Sequence, residues 1–340
     1  MVNICVIGAG RVGILHSRNI QNRIPKAKLV GIMDKNLEVA EKASRELGVR
    51  MYKSLEEIGE DENVHAVVIT TPTFTHAELA VYLMKKGKHV FCEKPISITL
   101  DEALKMKKTQ KETGVKFQIG FMRRFDATFV EAKELIENDF LGEIMSIRSV
   151  TRGPGLPPEW AWDVEKSNGF LAEVNSHDFD SVRWLCGSNY REIFAYGAVR
   201  KAKDIPKKYP GFYDTAIVNF IMEDGAIGVI EGSCPVEYGY DARVEILGTK
   251  GLLVIGDVQN HQAVLHCDTQ KKILTRTFRS WPERFKEAYV LEMESFVDSI
   301  LKDETPRVTV DDGIEALKAV LAANRSIQEN RPVSLKEVIG

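Results

Sequence analysis

The sequence predicts an α/β protein in two parts. These are an N-terminal doubly wound parallel sheet and a C-terminal α+β domain with a mostly antiparallel, open sheet. Three observations carry this expectation. A glycine-rich turn, Gly8-Ala9-Gly10-Arg11-Val12-Gly13, stands between an apolar run and a helical pattern. Over the first 120 residues, short β-branched runs alternate with amphipathic stretches, the signature of strands buried on both faces. After about residue 121 the pattern changes to apolar–polar alternation. A chain of 340 residues exceeds what one core usually organises, in keeping with a division into 1–121 and 122–340. The terminal helix can pack back on the first part.

The first part reads in order as strands at Val2–Ile7, Leu29–Met33, Val49–Tyr52, Val64–Thr70, His89–Cys92 and Val115–Ile119. Ser54-x-x-Glu57, Thr75-x-x-Glu78 and Thr99-x-x-Glu102 have capping-box form, which marks helix starts. Gly48, Gly87 and Gly114 stand where helices stop. In the second part a helix over about 127–138 leads to a strand at Ile144–Thr151, a loop rich in Gly, Pro and Trp, and a helix over about 170–185. Strands follow at Glu192–Val199, Tyr213–Met222, Ala226–Glu231, Ala242–Leu247, Gly251–Ile255, Ala263–Cys267 and Ile273–Phe278. Glu223-Asp224-Gly225 and Thr249-Lys250-Gly251 are turn signals between neighbours. Two helices, about 283–302 and 311–330, close the chain.

Composition excludes several classes. Apolar residues at 44% and charged residues at 28% are ordinary for a globular enzyme and foreign to a disordered chain. Lys+Arg 46 against Asp+Glu 49 leaves −3, without the basic field that nucleic acid or a membrane surface demands. No apolar run approaches the roughly 18–20 residues of a membrane span. The start, Met1 to Gly8, lacks a basic stretch and a cleavage site and reads as a strand. Cys5, Cys92, Cys186, Cys234 and Cys267 are scattered and form no Cys-x-x-Cys. A reduced, cytoplasmic protein is expected.

The glycine turn has a mechanism. Gly8 permits a tight bend, Gly10 lets backbone approach a pyrophosphate, and Gly13 lets helix pack on strand. Asp34 ends the next strand, 21 residues after Gly13, where a carboxylate bonds a ribose diol. The bland alternative is a tight turn plus a surface Asp. Asp34 favours NAD, because a 2′-phosphate would meet its charge; Lys35 beside it leaves room for NADP.

Two further segments sit at carboxyl ends of strands, where open α/β sheets bind ligands. They are Thr71-Pro72-Thr73-Phe74-Thr75-His76 and Phe91-Cys92-Glu93-Lys94-Pro95. Lys94 reads either as a solvated loop lysine or as the cation facing an alkoxide or ketone oxygen. Glu173 and His177 stand four apart on one helix face, either a base with its orienting carboxylate or a surface ion pair. Asp178 and Asp180 crowd the segment, so spacing leaves His177's acidic partner open. His261 and His266-Cys267 lack zinc spacing, and no metal is expected. Trp160 and Trp162 either cover a site or plug a surface gap.

The combination resembles the glucose–fructose oxidoreductase / inositol 2-dehydrogenase / MocA family of nicotinamide-dependent sugar and cyclitol dehydrogenases. The resemblance spans nearly the whole chain. It rests on Gly8–Gly13, Thr71-Pro72-Thr73 with His76, Glu93-Lys94-Pro95, Gly120-Phe-Met-Arg-Arg-Phe125, His177-Asp-x-Asp180, Trp184-Leu-x-Gly187 and Arg284-Phe-x-x-Ala288-Tyr. It implies that Gly8 through Gly13, Asp34, Lys35, Thr71, Pro72, Thr73, His76, Glu93 and Lys94 serve the cofactor. It also implies that Lys94 and His177 are catalytic, with Glu173 beside them. Gly120–Asp126 and Tyr238-Gly-Tyr-Asp241 look like the inositol dehydrogenase branch, where Met122, Arg123 and Tyr240 face the polyol together with Lys94 and His177. The chain departs from the family's pattern twice: Glu173 stands for the usual Asp, and Thr73 for the frequent Asn.

The expected activity is oxidation of a secondary hydroxyl of inositol or a related polyol to a ketone, with hydride passing to NAD. The rivals are a dehydrogenase of another sugar, sugar acid or sugar nucleotide, and a catalytically silent NAD(H)-binding redox sensor. The late sheet has helices enough for only one face, so a homo-oligomer, tetramer or dimer, built through the open face is expected.

Overall fold

The computed structural model describes residues 1–256 and 278–338. The chain runs β1 (Val2–Ile7), α1 (Arg11–Arg23), β2 (Ala27–Met33), α2 (Leu37–Leu47), β3 (Arg50–Met51), α3 (Leu55–Glu60), β4 (Ala66–Ile69), α4 (His76–Lys85), β5 (His89–Glu93), α5 (Leu100–Thr113) and β6 (Phe117–Gly120). It continues through α6 (Ala127–Glu137), β7 (Ile144–Arg152), α7 (Val164–Ser167), α8 (Gly169–Cys186), β8 (Tyr190–Ala198), β9 (Thr215–Met222), β10 (Ile227–Ser233), β11 (Asp241–Gly248) and β12 (Leu252–Ile255). After the undescribed stretch come α9 (Trp281–Arg284), α10 (Lys286–Leu301), α11 (Val310–Glu329) and β13 (Val333–Ser334). Two compact units result: Met1–Phe125 with Glu287–Leu317, and Asp126–Lys286 with Lys318–Gly340.

In the first unit β1 to β6 form one parallel sheet in the order β3-β2-β1-β4-β5-β6. The order reverses direction at β1, so the loops after β1 and β4 flank the crevice where such sheets take ligands. Both faces are covered. Ile4, Val6, Val68 and Phe91 of the strands pack in one core with Met293, Phe296 and Val297 of α10. Burying each such side chain contributes about 1.5–3 kcal/mol, which holds a C-terminal helix in an N-terminal core.

Local signals explain most helix ends. Thr99 and Glu102 make the full capping box at α5, and Gly48 and Gly114 adopt the left-handed conformation that stops α2 and α5. Ser54 caps α3 by accepting from Glu57 N–H, while the Glu57 carboxylate takes Lys53 N–H. Thr75 corrects the reading of its motif. Its hydroxyl bonds Pro72 O at 2.7 Å and the Thr71 hydroxyl at 2.6 Å, so it closes a tight turn ahead of α4 instead of capping it. The strand expected at 49–52 shortens to the two residues of β3.

The second unit holds a seven-stranded sheet, β12-β11-β7-β10-β9-β8-β13. Among the described residues only β7 and β10 run parallel; the other neighbours are antiparallel. Glu223-Asp224-Gly225 turns β9 into β10, with Gly225 at φ 98°, and Thr249-Lys250-Gly251 turns β11 into β12. Burial alternates along the strands, and α8 packs on β7 and β10. The opposite face leaves Tyr196, Ile217, Ile227 and Leu247 exposed. The strand expected at 263–267, and that at 273–278 except Phe278, lie outside the described residues, as do His261, His266 and Cys267. Phe278 forms a bridge with Tyr240. The helix expected over 283–302 breaks at Phe285, which leaves helical geometry while its ring packs against Phe129 and Tyr240. Among the described residues no helix is long and apolar enough to cross a membrane.

Candidate active site

β1 delivers the chain into the glycine turn. Gly8 takes φ 100°, and a Cβ on Gly13 would stand 1.8 Å from Gly8 O, so only glycine lets α1 start this close to β1. Thr70, just past β4, braces the turn by donating its hydroxyl to Ile7 O and Gly8 O at 3.0 and 2.9 Å. A Cβ at Gly10 would meet nothing within 4 Å, so the approach to the N-terminus of α1 is open. The first turn of α1 carries no acidic residue, so its N–H groups and positive dipole end stay available to an anion. Arg11 there is exposed and Val12 half-buried.

Asp34, one residue past β2, is turned toward this loop. Its carboxylate accepts Ala9 N–H at 2.8 Å and Asn36 N–H at 2.9 Å. Two bonds leave lone pairs on both oxygens for further donors such as a ribose diol. Lys35 beside it is exposed. The open glycine approach and the fixed acceptor fit a dinucleotide.

His76 ties together the segments that follow β4 and β5. Its Nε2 lies 2.8 Å from Thr71 O and its Nδ1 2.8 Å from Pro95 O, with the ring buried. The two carbonyls favour the doubly protonated ring, but burial dominates and holds His76's basicity below its ordinary value. The Thr71–Thr73 loop and the Glu93-Lys94-Pro95 segment are thereby one assembly. Thr73 is buried, and Thr71 and Pro72 are half-buried. Glu93 turns its carboxylate into the core, toward His16 at 2.7 Å, while Lys94 after it is half-buried. Met122 and Arg123, in a short turn after β6, are each only 1% exposed. The neighbouring Arg124 pairs with Asp312 at 2.9 Å.

In the second unit α8 carries Glu173, half-buried, and His177, buried, one turn apart. Asp178 is committed elsewhere. It accepts from the Ser149 and Thr151 hydroxyls at 2.6 and 2.9 Å and from Asn175 Nδ2 at 2.8 Å, fastening α8 to β7. Asp180 is buried. Tyr240 is half-buried, edge-on to Phe285 at 6.2 Å. Arg284 pairs with Asp126 at 2.7 Å. Trp162 fills its own loop, donating to Pro157 O at 2.9 Å and stacking edge-on with Tyr209 and Phe212.

Sequence reasoning passed over His16 and Glu292. A signal existed: each is a polar residue on the inward stripe of its helix, in register with Gly13 and Ile20 on α1 and with Tyr289 and Phe296 on α10.

A glycine turn of this geometry on a β3-β2-β1-β4-β5-β6 sheet, facing a fixed carboxylate, defines a dinucleotide-binding protein. The comparisons narrow the class. Residues 2–121 match the oxidoreductase family with an NAD-binding Rossmann fold, and residues 133–335 match its C-terminal alpha/beta domain. The chain belongs to this GFO_IDH_MocA oxidoreductase family. It is 37% identical to the myo-inositol 2-dehydrogenase of Thermotoga maritima, with 100% of each chain covered. It is 34% identical to the scyllo-inositol 2-dehydrogenase (NAD(+)) of Bacillus subtilis over 98% of this chain and 96% of that one. The scyllo-inositol dehydrogenase of Lactobacillus casei, solved with bound NAD(H) and scyllo-inositol, aligns at TM-score 0.88 and 29% identity over 99% of both chains.

Proposed function

We propose that this protein is an NAD-dependent dehydrogenase that oxidises a secondary hydroxyl of inositol, or of a closely related polyol, to a ketone. The observation that carries the reading is the end-to-end likeness to proteins named inositol dehydrogenases. NAD supplies the hydride acceptor. The glycine turn takes the pyrophosphate, Asp34 the adenosine ribose, and the Thr71–His76 and Glu93–Lys94 segments the rest of the cofactor.

His177 takes the hydroxyl proton on a ring nitrogen, and Glu173, one turn earlier, orients that ring. Lys94 offers an ammonium to the substrate oxygen as negative charge grows on it. Met122, Arg123 and Tyr240 supply contacts to the polyol. The open sheet face of the second unit, with Tyr196, Ile217, Ile227 and Leu247 exposed, is where a second copy of the chain covers apolar surface in a homo-oligomer. The scattered cysteines, Cys5, Cys92, Cys186 and Cys234 all free, fit the reducing cytoplasm.

The test is NADH formation across myo-, scyllo- and chiro-inositol, common aldoses, sugar acids and nucleotide sugars. Turnover with an inositol supports the reading. Turnover only with another class moves the substrate, and NAD binding without any turnover makes the protein a sensor.

A further inference from the structure

Three side chains from separate elements converge inside the first unit. His16 lies on α1, three residues beyond Gly13; Glu93 ends β5; Glu292 sits midway along α10. Their exposures are 0%, 7% and 0%. One donor or acceptor atom of each lies within 4.8 Å of the others. One oxygen of the Glu93 carboxyl lies 2.7 Å from His16 Nε2, and the other accepts from Lys94 N–H at 3.3 Å. Gly120 makes room for it, since a Cβ there would stand 3.0 Å from Glu93 Oε2. Neither carboxyl oxygen of Glu292 has a hydrogen-bond partner.

The surroundings are closed. The His16 ring packs edge-on against Phe91 and Tyr289 at 5.2 and 5.6 Å. From β6, Gln118 donates to the backbone oxygen of Glu292 at 3.0 Å. Cys92 adjoins Glu93 on β5 with its thiol pushed up by burial. The charges of Glu93 and Lys94 both reach the buried His76.

Two ionised carboxylates this close in a dry core repel, and each loses its hydration. Glu93 has a polar partner at each oxygen, His16 and the Lys94 N–H. Glu292 has none and keeps its proton; burial and the charge of Glu93 push its carboxyl well above the ordinary range. A divalent metal is the rival occupant. Metal bonds of about 2.0–2.2 Å at a tetrahedral angle hold N and O roughly 3.3 Å apart, wider than the 2.7 Å between His16 and Glu93.

We propose that His16, Glu93 and Glu292 form a buried positioning unit for Lys94, tying the Glu93-Lys94-Pro95 segment to the helix that opens at the dinucleotide turn. The part played by Lys94 rests on the dehydrogenase reading above. His16 fixes one oxygen of Glu93, which leaves the other aimed at the Lys94 backbone. Glu292 fills the third side without adding a second charge.

The test compares His16→Ala, His16→Gln, Glu93→Gln, Glu292→Ala and Glu292→Gln in the full chain. Loss of position without loss of the cofactor turn lowers kcat about tenfold or more in His16→Ala and Glu93→Gln, and lowers it more than it weakens NAD binding. His16→Gln, whose amide nitrogen can reach Glu93, regains most of the rate. Glu292→Ala loses rate and stability, and Glu292→Gln, the shape of the neutral acid, restores both.

Because Glu292 holds its proton more tightly in the fold than in the unfolded chain, its contribution is full at low pH and declines as pH rises past 4.5 toward its raised value. Wild type therefore loses Tm relative to Glu292→Gln with rising pH. The Lys94 amide resonance, read without substrate, moves in His16→Ala and Glu93→Gln. Wild-type kcat and an unmoved Lys94 amide in those two variants overturn the proposal. So does a Glu292→Gln protein as damaged as Glu292→Ala, or a wild-type Tm raised by Zn²⁺ and not in Glu292→Gln. A wild type inactive on every polyol sinks the dehydrogenase reading alone, and the amide shift and the pH–Tm comparison still decide the positioning unit.

Discussion

Gly13 lies against Gly8 so closely that a single methyl on Gly13 would come within 1.8 Å of the Gly8 carbonyl oxygen. The start of α1 is therefore set by backbone contact with the end of β1, and the open approach at Gly10 follows from it. Gly13→Ala forces the two apart at an overpacking cost of about 1–3 kcal/mol. Since that displacement falls on the turn proposed to take the pyrophosphate, NAD affinity should drop by tenfold or so, measured by titration of the variant. Unchanged affinity would mean that the turn can shift freely.

Cofactor choice follows from Asp34. Its carboxylate is already aimed at the turn by Ala9 and Asn36, so it presents acceptors to a diol and negative charge to a 2′-phosphate. One charge-assisted hydrogen bond is worth roughly 1.5–3 kcal/mol. NAD should exceed NADP about tenfold or more in kcat/KM, and Asp34→Ala should shrink that ratio. Equal efficiency of wild type with both cofactors contradicts this.

His76 gives a pH-dependent test of how the two loops are joined. Burial lowers its folded value below 6.5, so the neutral ring belongs to the fold. Its contribution is present above that value and is lost as pH falls through the lowered one. Wild-type Tm should fall on acidification from pH 6.5 more than that of His76→Gln. Parallel Tm curves would show that the ring does not hold Thr71 and Pro95 together.

Much of this was legible in the chain, and the exceptions have physical causes. Six strand runs and the Thr99–Glu102 capping box could be read because periodicity and caps are local properties. The Thr75-x-x-Glu78 motif misled because a hydroxyl that caps a helix and one that closes a preceding turn have the same spacing. Glu292 was only half legible, for a different reason. Its position on α10 says that it is buried, and only the folded core shows that its neighbours are Glu93 and His16. The acidic partner of His177 is open in the sequence for the same reason, since only the folded core shows Asp178 accepting from Ser149, Thr151 and Asn175.

Assembly is a further expectation. The face of the seven-stranded sheet away from α8 exposes Tyr196 at 57%, Ile217 at 45% and Ile227 at 55%, and so much apolar surface in one patch favours association. Light scattering at micromolar concentration should give a dimer or tetramer, and charge placed at Ile217 should lower it. A wild-type monomer refutes the expectation.

The central claim is that His177 takes the proton when a polyol hydroxyl is oxidised. The direct measurement is kcat/KM for inositol with NAD against pH, for wild type, His177→Ala, Glu173→Gln and Lys94→Ala. Wild type should rise with pH on one ionisation. His177→Ala should lose that limb and about 10²-fold or more of the rate. Glu173→Gln should lose less, and Lys94→Ala should lose kcat more than NAD affinity. A His177→Ala protein that keeps both the wild-type limb and the wild-type rate contradicts the account and passes the proton to another group, with Lys94 the first to examine.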